Sequence, residues 1–301
     1  MTKPAQNNPS YYHLQIGDLI VTALSDGVAL VEADKLLQSP EPGKILELLA
    51  AAHLDNPAEL SINTYLVQIG SRLILIDTGA GELFGPDAGG NLLNSLQEAG
   101  YTPEQVTDVL LTHIHNDHSG GLTIQGKAVF PHATVHVHQH DADFWLDEER
   151  MKNADPNVMA PNQKSFINAI NVFKPYLDAG RVKTFKGNIE LFPGITSKEC
   201  PGHTPGHTLF VIKSGDDQLT IWADLVHLSG IQFEDPTVLD GYDVDPKQGL
   251  AQRIGAYKDA AEKGYLVAGN HLSFPGFGRL RAKGSGYEWL PVAYSPSGRN
   301  R

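Results

Sequence analysis

Cysteine is almost absent from this sequence, with Cys200 as the single thiol among 301 residues. One cysteine excludes a disulfide within the chain, so packing, with bound metal as a further contributor, must stabilise the fold. No apolar run is long enough to span a bilayer, and residues 1–9 lack the apolar core of a signal peptide. We expect no membrane partner and a soluble protein, cytoplasmic as the sequence stands and periplasmic or exported if a signal peptide was removed.

Basic residues are also scarce. Lysine and arginine number 23 against 35 aspartates and glutamates, giving a net charge of −12, and they form no stripe along the sequence. Because nucleic-acid binding needs such a stripe, we expect no nucleic-acid partner. A hydrophobic content of 41% is typical of a globular protein. Without a linker or internal repeat, residues 1–301 are predicted to form one domain, with residues 1–12 as a flexible N-terminal segment.

Strand and helix patterns alternate along the chain. Apolar and β-branched runs predict strands at 18–24, 63–69, 73–76, 106–112, 134–139, 181–185, 195–199, 208–213, 218–222 and 265–268. Periodic apolar positions and capping residues predict helices at 91–99, 141–150, 163–174 and 246–263. This order favours a layered α/β fold with polar ligands at strand ends.

Three histidines and an aspartate lie within six residues after the predicted strand 106–112: His113, His115, Asp117 and His118. In extended backbone, residues two apart point the same way, so His113 and His115 can reach one metal ion. A turn then directs Asp117 and His118 toward a second ion. Because two ligands per ion are too few, this interpretation predicts further ligands downstream.

Further candidates follow three later strands. They are His203 and His207 in the segment 201–207 (PGHTPGH), Asp224 at the end of an apolar run, and His271 after strand 265–268. A single histidine or strand-end aspartate is usually structural, but their joint occurrence in this order indicates a metal centre.

Together with Asp77-Thr78-Gly79, these segments resemble the successive motifs of the metallo-β-lactamase superfamily. The resemblance implies a four-layer αββα sandwich holding two divalent ions. It assigns His113, His115 and His203 to one ion, Asp117, His118 and His271 to the other, and Asp224 as the bridge between them. It makes Asp77 a residue that supports the cluster loop by hydrogen bonds. His207 would orient its neighbours, with direct ligation as the alternative.

Longer segments are similar to the methyl parathion hydrolase-like branch, which includes organophosphate hydrolases and aryl lactonases. They are 21–27 (VTALSDG), 83–86 (LFGP), 141–146 (DADFWL) and 271–276 (HLSFPG). Members hydrolyse phosphotriesters, aryl esters and lactones, usually as homodimers and after export. The resemblance therefore implies a homodimer with small hydrophobic ester, lactone or phosphotriester substrates.

Two divalent ions sharing a bridging hydroxide would supply the nucleophile, because they lower the pKa of water from about 16 toward 7. Asp117 would handle the proton, and Asp224 and His227 complete the catalytic candidates. His227 can hydrogen-bond an ester or lactone oxygen or, alternatively, orient its neighbours. Imidazole and carboxylate donors favour Zn²⁺, although manganese, iron and cobalt tolerate the same set.

Four aromatic residues are candidates for the substrate pocket: Phe84, Trp145, Phe166 and Tyr242. For Trp145 the alternative is a place in the core, since Phe144 beside it must point elsewhere from a helix. We expect cleavage of aryl esters or lactones, and of organophosphate triesters such as methyl parathion.

Four other functions compete with this interpretation. A nuclease of the same superfamily would need a basic groove. A glyoxalase II-like thioesterase would need basic residues for an anionic thioester, and an acyl-homoserine lactonase is a further alternative. A non-catalytic metal module would have closed coordination. The alternating His136, His138 and His140 are interpreted as a strand face without metal.

Overall fold

The computed structural model describes residues 8–158 and 161–298. The strands are, in chain order, β1 (Tyr11–Ile16), β2 (Leu19–Val31), β3 (Leu37–Gln38), β4 (Ala58–Ile69), β5 (Arg72–Ile76), β6 (Asp108–Leu110), β7 (Thr123–Ile124), β8 (Lys127–Ala128), β9 (Thr134–His138), β10 (Val182–Phe185), β11 (Glu190–Phe192), β12 (Ile195–Glu199), β13 (Thr208–Ser214), β14 (Asp217–Ile221), β15 (Leu239–Asp240), β16 (Leu266–Ala268), β17 (Phe277–Lys283) and β18 (Gly286–Pro291). The α-helices are α1 (Ala33–Leu36), α2 (Lys44–Ala51), α3 (Leu92–Glu98), α4 (Asn116–Ser119), α5 (Gln139–Trp145), α6 (Glu148–Asn153), α7 (Gln163–Asp178), α8 (Ser229–Gln232) and α9 (Pro246–Lys263).

Two large sheets form the centre of the molecule. The first has the strand order β1-β2-β4-β5-β6-β9-β10, and the second has the order β11-β12-β13-β14-β16-β17-β18. Within the first sheet, β5, β6, β9 and β10 run parallel to one another. Within the second, β14 and β16 are parallel. The carboxyl ends of these parallel strands are where polar side chains gather.

Residue alternation along the strands separates the two faces of each sheet. On β5, Ile74 and Ile76 belong to the core between the sheets, whereas Leu73 and Leu75 belong to the core on the outer face. This is the two-residue period of a strand that is buried on both sides.

Helices cover the outer faces of both sheets. Side chains of α3, α5 and α7 pack on the first sheet, and those of α9 pack on the second. The predicted four-layer αββα sandwich is confirmed by this arrangement. The boundaries predicted for α9 are also confirmed, since Asp245 accepts a hydrogen bond from Gln248 N (3.0 Å) and Gly264 ends the helix in the left-handed region.

The prediction that residues 1–12 form a flexible N-terminal segment needs a correction. Residues 1–7 lie outside the described part of the chain, but Tyr11 and Tyr12 are not a flexible segment, because they pair with Leu24 and Ala23 in the first sheet. Sequence patterns also missed α2, β17 and β18. No helix within residues 8–158 and 161–298 combines the length and apolar character that crossing a bilayer requires.

Candidate metal centre

The histidine cluster follows β6 and enters the short helix α4. His115 is the last extended residue, and its carbonyl accepts a hydrogen bond from Ser119 N (2.9 Å) as the chain turns. Gly121 follows this turn, where a Cβ atom would overlap the carbonyl oxygen of Thr78. The cluster loop therefore packs directly on the loop after β5, which carries Asp77.

The downstream candidates come from strand ends of the second sheet. His203 lies after β12, and Asp224 and His271 lie after the adjacent parallel strands β14 and β16. The two sheets thus present their polar ends at the same edge of the sandwich. All seven predicted ligands meet there.

One group consists of His113, His115 and His203. Their ring centroids are 4.6 Å, 4.9 Å and 4.7 Å apart. The Oδ2 atom of Asp224 lies 3.1 Å from His203 Nε2 and 3.6 Å from His113 Nε2. These ligand atoms are close enough to share one metal ion.

A second group consists of Asp117, His118 and His271. Asp117 Oδ2 lies 3.5 Å from His271 Nε2 and 3.8 Å from His118 Nε2. The other oxygen of Asp224, Oδ1, lies 3.0 Å from His118 Nε2 and 3.2 Å from His271 Nε2. Asp224 therefore presents one oxygen to each group, as expected of a bridging carboxylate.

Whether metal ions fit the centre can be judged from the buried nitrogen and oxygen atoms that lack hydrogen-bond partners. Five buried atoms of the predicted ligands make no hydrogen bond in the described part of the chain: the Nε2 atoms of His113, His115, His118 and His271, and Asp224 Oδ1. Leaving buried polar atoms unpaired is unfavourable, and the Nε2 atoms of His113, His118 and His271 all face Asp224 within the two groups. His115 instead presents Nδ1 to its group, 3.0 Å from His203 Nε2. The imidazole and carboxylate donors suit divalent cations, so the residues fit a two-metal centre.

The far ring nitrogens are held by partners outside the centre. His118 Nδ1 donates to Asp77 Oδ2 (2.9 Å), His203 Nδ1 to Asp243 Oδ1 (2.8 Å) and His271 Nδ1 to the Ser61 carbonyl (2.8 Å). A proton on Nδ1 leaves the Nε2 lone pair free for a metal ion. Asp77 also accepts hydrogen bonds from Thr112 N and Oγ1 (both 2.8 Å), so it supports the cluster loop as predicted.

Both ring nitrogens of His207 are engaged by the backbone. Nδ1 donates to the Cys200 carbonyl (3.0 Å), and Nε2 accepts from Asp224 N (3.3 Å). Burial, followed by the charge of His203, lowers the pKa of His207 to about 3. A neutral ring without a free lone pair orients Asp224, and it leaves no atom for the alternative role of direct ligand.

The electrostatics of the centre set buried imidazoles against a charged carboxylate. Although burial lowers the pKa values of His118 and His203, the charge of Asp224 outweighs it and raises that of His118 well above the usual histidine value and that of His203 to about 9. Burial and neighbouring imidazoles hold the pKa values of His113 and His115 well below the usual histidine value. Burial alone raises the pKa of Asp224, but the surrounding histidines, first His118 and His271, hold it well below its usual range. Asp224 is thereby kept in the charged form that a metal ligand requires.

Sequence patterns missed four buried aspartates around the centre. Asp141 accepts hydrogen bonds from Ile114 N (2.8 Å) and Gly206 N (2.6 Å), joining the two ligand loops. Asp26 accepts from three backbone amides, including Ala80 N (2.8 Å). Asp240 and Asp243 contact His227 and His203. For Asp240 and Asp243 the available signal was that each buried imidazole needs a partner at its second ring nitrogen.

A cavity of about 310 Å³ opens above the centre. Its apolar wall is formed by Ala29, Val31, Leu36, Leu60, Leu83 and Phe84. His227 and Tyr242 also line it, so two of the four predicted pocket aromatics, Phe84 and Tyr242, lie where expected.

The assignment of the other two aromatic residues to the cavity wall was wrong, and for Trp145 the alternative place in the core holds. Trp145 is fully buried and Phe166 is 3% exposed, and both belong to the core outside the first sheet. Trp145 packs its ring 5.2 Å from that of His115, beneath the cavity. Phe144, not Trp145, is the partly exposed neighbour, since consecutive helical residues diverge by about 100°.

His136, His138 and Cys200 lie outside the centre. His136 Nε2 pairs with Asp108 Oδ1 (2.9 Å), and His138 Nε2 pairs with Glu199 Oε1 (2.9 Å). Neither belongs to a metal-binding group among the residues that the structure describes. Burial raises the pKa of Cys200 to about 12, which keeps it a thiol that contributes no ligand.

Comparison with known proteins places these features in context. The family model of the Metallo-beta-lactamase superfamily matches residues 57–263. An N-acyl homoserine lactonase of Bacillus thuringiensis is 26% identical over 259 residues, covering 79% of this chain and 86% of that protein. The crystal structure of hydrolase AbOPH is 34% identical with a TM-score of 0.89, covering 96% of this chain and 100% of that one. AidC, a dizinc quorum-quenching lactonase solved with the product N-hexanoyl-L-homoserine, is 29% identical with a TM-score of 0.84 and covers 95% of this chain and 98% of its own.

Proposed function

The chain belongs to the metallo-β-lactamase superfamily, and on that premise we propose that it is a metal-dependent lactonase that opens lactones carrying an apolar acyl or aryl group. The observation that carries the proposal is the cavity of about 310 Å³, which joins an apolar wall to the histidine and aspartate centre. Similarity to lactonases among both curated proteins and solved structures supports it.

Charge in the cavity separates the proposal from a glyoxalase II-like thioesterase. Asp117 and Asp224 line the cavity, and Lys164 is the single basic side chain among its described lining residues apart from histidines. Because bound cations would offset the charge of both carboxylates, the anionic groups of a glutathione-like thioester would need basic side chains away from the centre, and Lys164 is the one that the described lining offers. A neutral lactone with an apolar substituent is therefore the better match.

Two bound divalent cations would lower the pKa of water and polarise the carbonyl oxygen of the substrate. His113, His115 and His203 would hold one cation, Asp117, His118 and His271 the other, and Asp224 would contact both. Asp117 reaches the centre through Oδ2, where it can hold the proton released by water. The apolar wall orients the substituent of the substrate and excludes water from it.

We also propose aryl esters, and organophosphate triesters such as methyl parathion, as secondary substrates of the same centre. Zinc as the native metal and a homodimeric state stay predictions. Elemental analysis and light scattering of the purified protein measure them.

A substrate panel tests the proposed function. We expect the metal-loaded protein to show its highest kcat/KM on an N-acyl homoserine lactone or dihydrocoumarin, a lower value on phenyl acetate and methyl parathion, and little activity on S-lactoylglutathione. A preference of several orders of magnitude for the phosphotriester or the glutathione thioester would contradict the proposal.

Filling the cavity tests where the acyl group binds. Ala29 lines the cavity, whereas Leu30 beside it is 70% exposed on the opposite face of β2. We expect Ala29→Phe to raise KM at least about tenfold for a long-chain lactone and to affect γ-butyrolactone little, because lost apolar burial scales with chain length. The matched variant Leu30→Phe should leave both unchanged. Equal effects of Ala29→Phe on both lactones would place the acyl group elsewhere.

A further inference from the structure

The cavity above the centre has two chemically different parts. One part is the apolar wall described above, which offers only alkyl and aromatic groups to a substrate. The other part is formed by α4 and the N-terminal end of α7, and we call it the polar side. Its neutral polar residues are Asn116, Ser119, Asn162 and Ser165.

Three residues of the polar side are engaged as donors within the protein. Ser119 Oγ donates a hydrogen bond to the His115 carbonyl (2.8 Å), and Ser165 Oγ donates to Asn162 Oδ1 (3.1 Å). Asn162 Nδ2 donates to the Val158 carbonyl (3.2 Å). Because a hydroxyl has a single hydrogen to donate, neither serine has a further one for a substrate.

Asn116 is held by its side-chain oxygen. Asn168 Nδ2, on α7, donates to Asn116 Oδ1 (3.2 Å). Asn116 lines the cavity, whereas Asn168 is absent from the described lining, so this oxygen is directed away from the cavity. The Nδ2 atom of Asn116 makes no hydrogen bond within residues 8–158 and 161–298. Its hydrogens are therefore free to contact a molecule in the cavity.

The position of Asn116 in the chain places it beside the reacting region. It lies between His115 and Asp117, which belong to the two different ligand groups of the centre. Its own carbonyl accepts a hydrogen bond from Gly120 N, which fixes it at the start of α4. A substituent on the carbon next to the scissile carbonyl would thus lie within reach of Asn116.

An amide in that substituent would need such a donor. Its carbonyl oxygen loses hydrogen bonds to water on entering the cavity, and a buried carbonyl without a partner is unfavourable. The apolar wall has no group that replaces water, whereas Asn116 has an N–H group. An alkyl or aryl substituent makes no such demand, so this donor can discriminate between lactones.

We propose that Asn116, positioned by Asn168, donates a hydrogen bond from Nδ2 to an amide carbonyl of the substrate and thereby favours amide-bearing lactones over alkyl and aryl lactones. The inference rests on the proposed function for the lactone ring but not for the amide contact. Asn168 is a positioning residue, since it acts through Asn116. Because the amide lies outside the bond that breaks, the contact should affect KM and leave kcat nearly unchanged.

Two lactones that differ in the amide test the proposal on the metal-loaded full-length chain: N-hexanoyl-homoserine lactone and α-heptyl-γ-butyrolactone, whose substituent chains are equally long. We expect Asn116→Leu, which keeps the shape without the donor, to raise KM about tenfold for the amide lactone and to cause no loss on the alkyl lactone. Asn116→Asp retains the acceptor for Asn168 and replaces the donor by an oxygen, so it should lose at least as much. Asn168→Leu should give a smaller loss with the same substrate dependence.

The matched control is Asn94→Leu. Asn94 Nδ2 donates to Asn91 Oδ1 (2.8 Å) at the start of α3, and this asparagine pair is not part of the described cavity lining. The control should leave KM for both lactones unchanged, and elemental analysis should find the wild-type metal content in every variant. An equal loss on both lactones, an unchanged preference in Asn116→Leu or Asn116→Asp, or a loss of activity that follows a loss of metal would overturn the proposal.

The open-chain esters phenyl N-hexanoylglycinate and phenyl nonanoate separate this proposal from the proposed function, because they differ in the amide and contain no lactone ring. If the wild type opens neither lactone but Asn116→Leu lowers the preference for the glycinate ester as expected, the lactonase function fails and the role of Asn116 stands. If the wild type opens the lactones and Asn116→Leu affects both members of each pair equally, the lactonase function stands and the role of Asn116 fails. Hydrolysis of none of these compounds would contradict both.

Discussion

Replacement of His115 by alanine is expected to lower kcat/KM on the preferred lactone by about a thousandfold, because a metal ion contributes several kcal/mol of transition-state stabilisation and each 1.36 kcal/mol is about tenfold in rate. The Nε2 atom of His115 is buried without a hydrogen-bond partner in the described structure, and its Nδ1 lies 3.0 Å from His203 Nε2. Removing the ring leaves that group of ligands with His113, His203 and Asp224.

The fold should survive this change. The contribution of His115 to helix α4 is made by its carbonyl, which alanine retains. The ring also packs on Trp145, so a modest loss of stability is expected from the vacated volume. Circular dichroism and thermal unfolding measure that loss separately from activity.

The exposed His132 provides the control for His115. His132→Ala should match the wild type in activity and in metal content. Elemental analysis of His115→Ala should show less than the wild-type amount of metal per chain. Full activity in His115→Ala, or activity that persists after exhaustive chelation, would exclude metal-dependent hydrolysis at this centre.

The ligand positions were predictable from the sequence because each follows a strand and carries a chemically distinctive side chain. His113, His115 and the later His203, Asp224 and His271 are separated by up to 158 residues, counted from position 113 to position 271. In a layered fold, the carboxyl ends of parallel strands lie at one edge of the sheet. Side chains that follow these strands are therefore brought close together although they are distant in sequence. The structure brings them into two groups that share Asp224.

The partners of these side chains were less predictable. Asp240 ends the two-residue strand β15, and Asp243 lies in the loop between β15 and α9. Neither segment is long enough for a periodic pattern to fix the direction of a side chain. The cavity wall has the same difficulty, since Ala29 and Val31 lie on an extension of β2 past the predicted strand 18–24. Which aromatic residue faces the cavity depends on tertiary packing, and local sequence does not encode it.

Asp77 provides the second large expected effect. It lies at φ 61°, in the left-handed region, at the carboxyl end of β5. One oxygen, Oδ2, accepts from Thr112 Oγ1 (2.8 Å), His118 Nδ1 (2.9 Å) and Asn270 Nδ2 (2.9 Å). Asparagine tolerates the same backbone conformation, so Asp77→Asn changes the hydrogen bonding with little backbone strain.

An amide at position 77 is expected to move the proton of His118 from Nδ1 to Nε2. If the amide oxygen keeps the bond from Thr112 N, the NH₂ group faces His118 Nδ1, which must then accept. A neutral His118 would carry its proton on Nε2, the atom that points into the second metal group, and its lone pair would be lost there. We expect Asp77→Asn to weaken metal binding about tenfold to a hundredfold, measured by competition with a chelator.

Stability should fall together with metal affinity. Removing one partner from a buried charged network destabilises a protein by about 3–5 kcal/mol, which is about 6–10 °C in Tm for a chain of this size. The control is Asp108→Asn, another buried aspartate, which pairs with His136 and Arg72 away from the centre. It should lower Tm and leave metal affinity unchanged. If both variants lose stability and neither loses metal affinity, Asp77 supports the fold without setting the tautomer of His118.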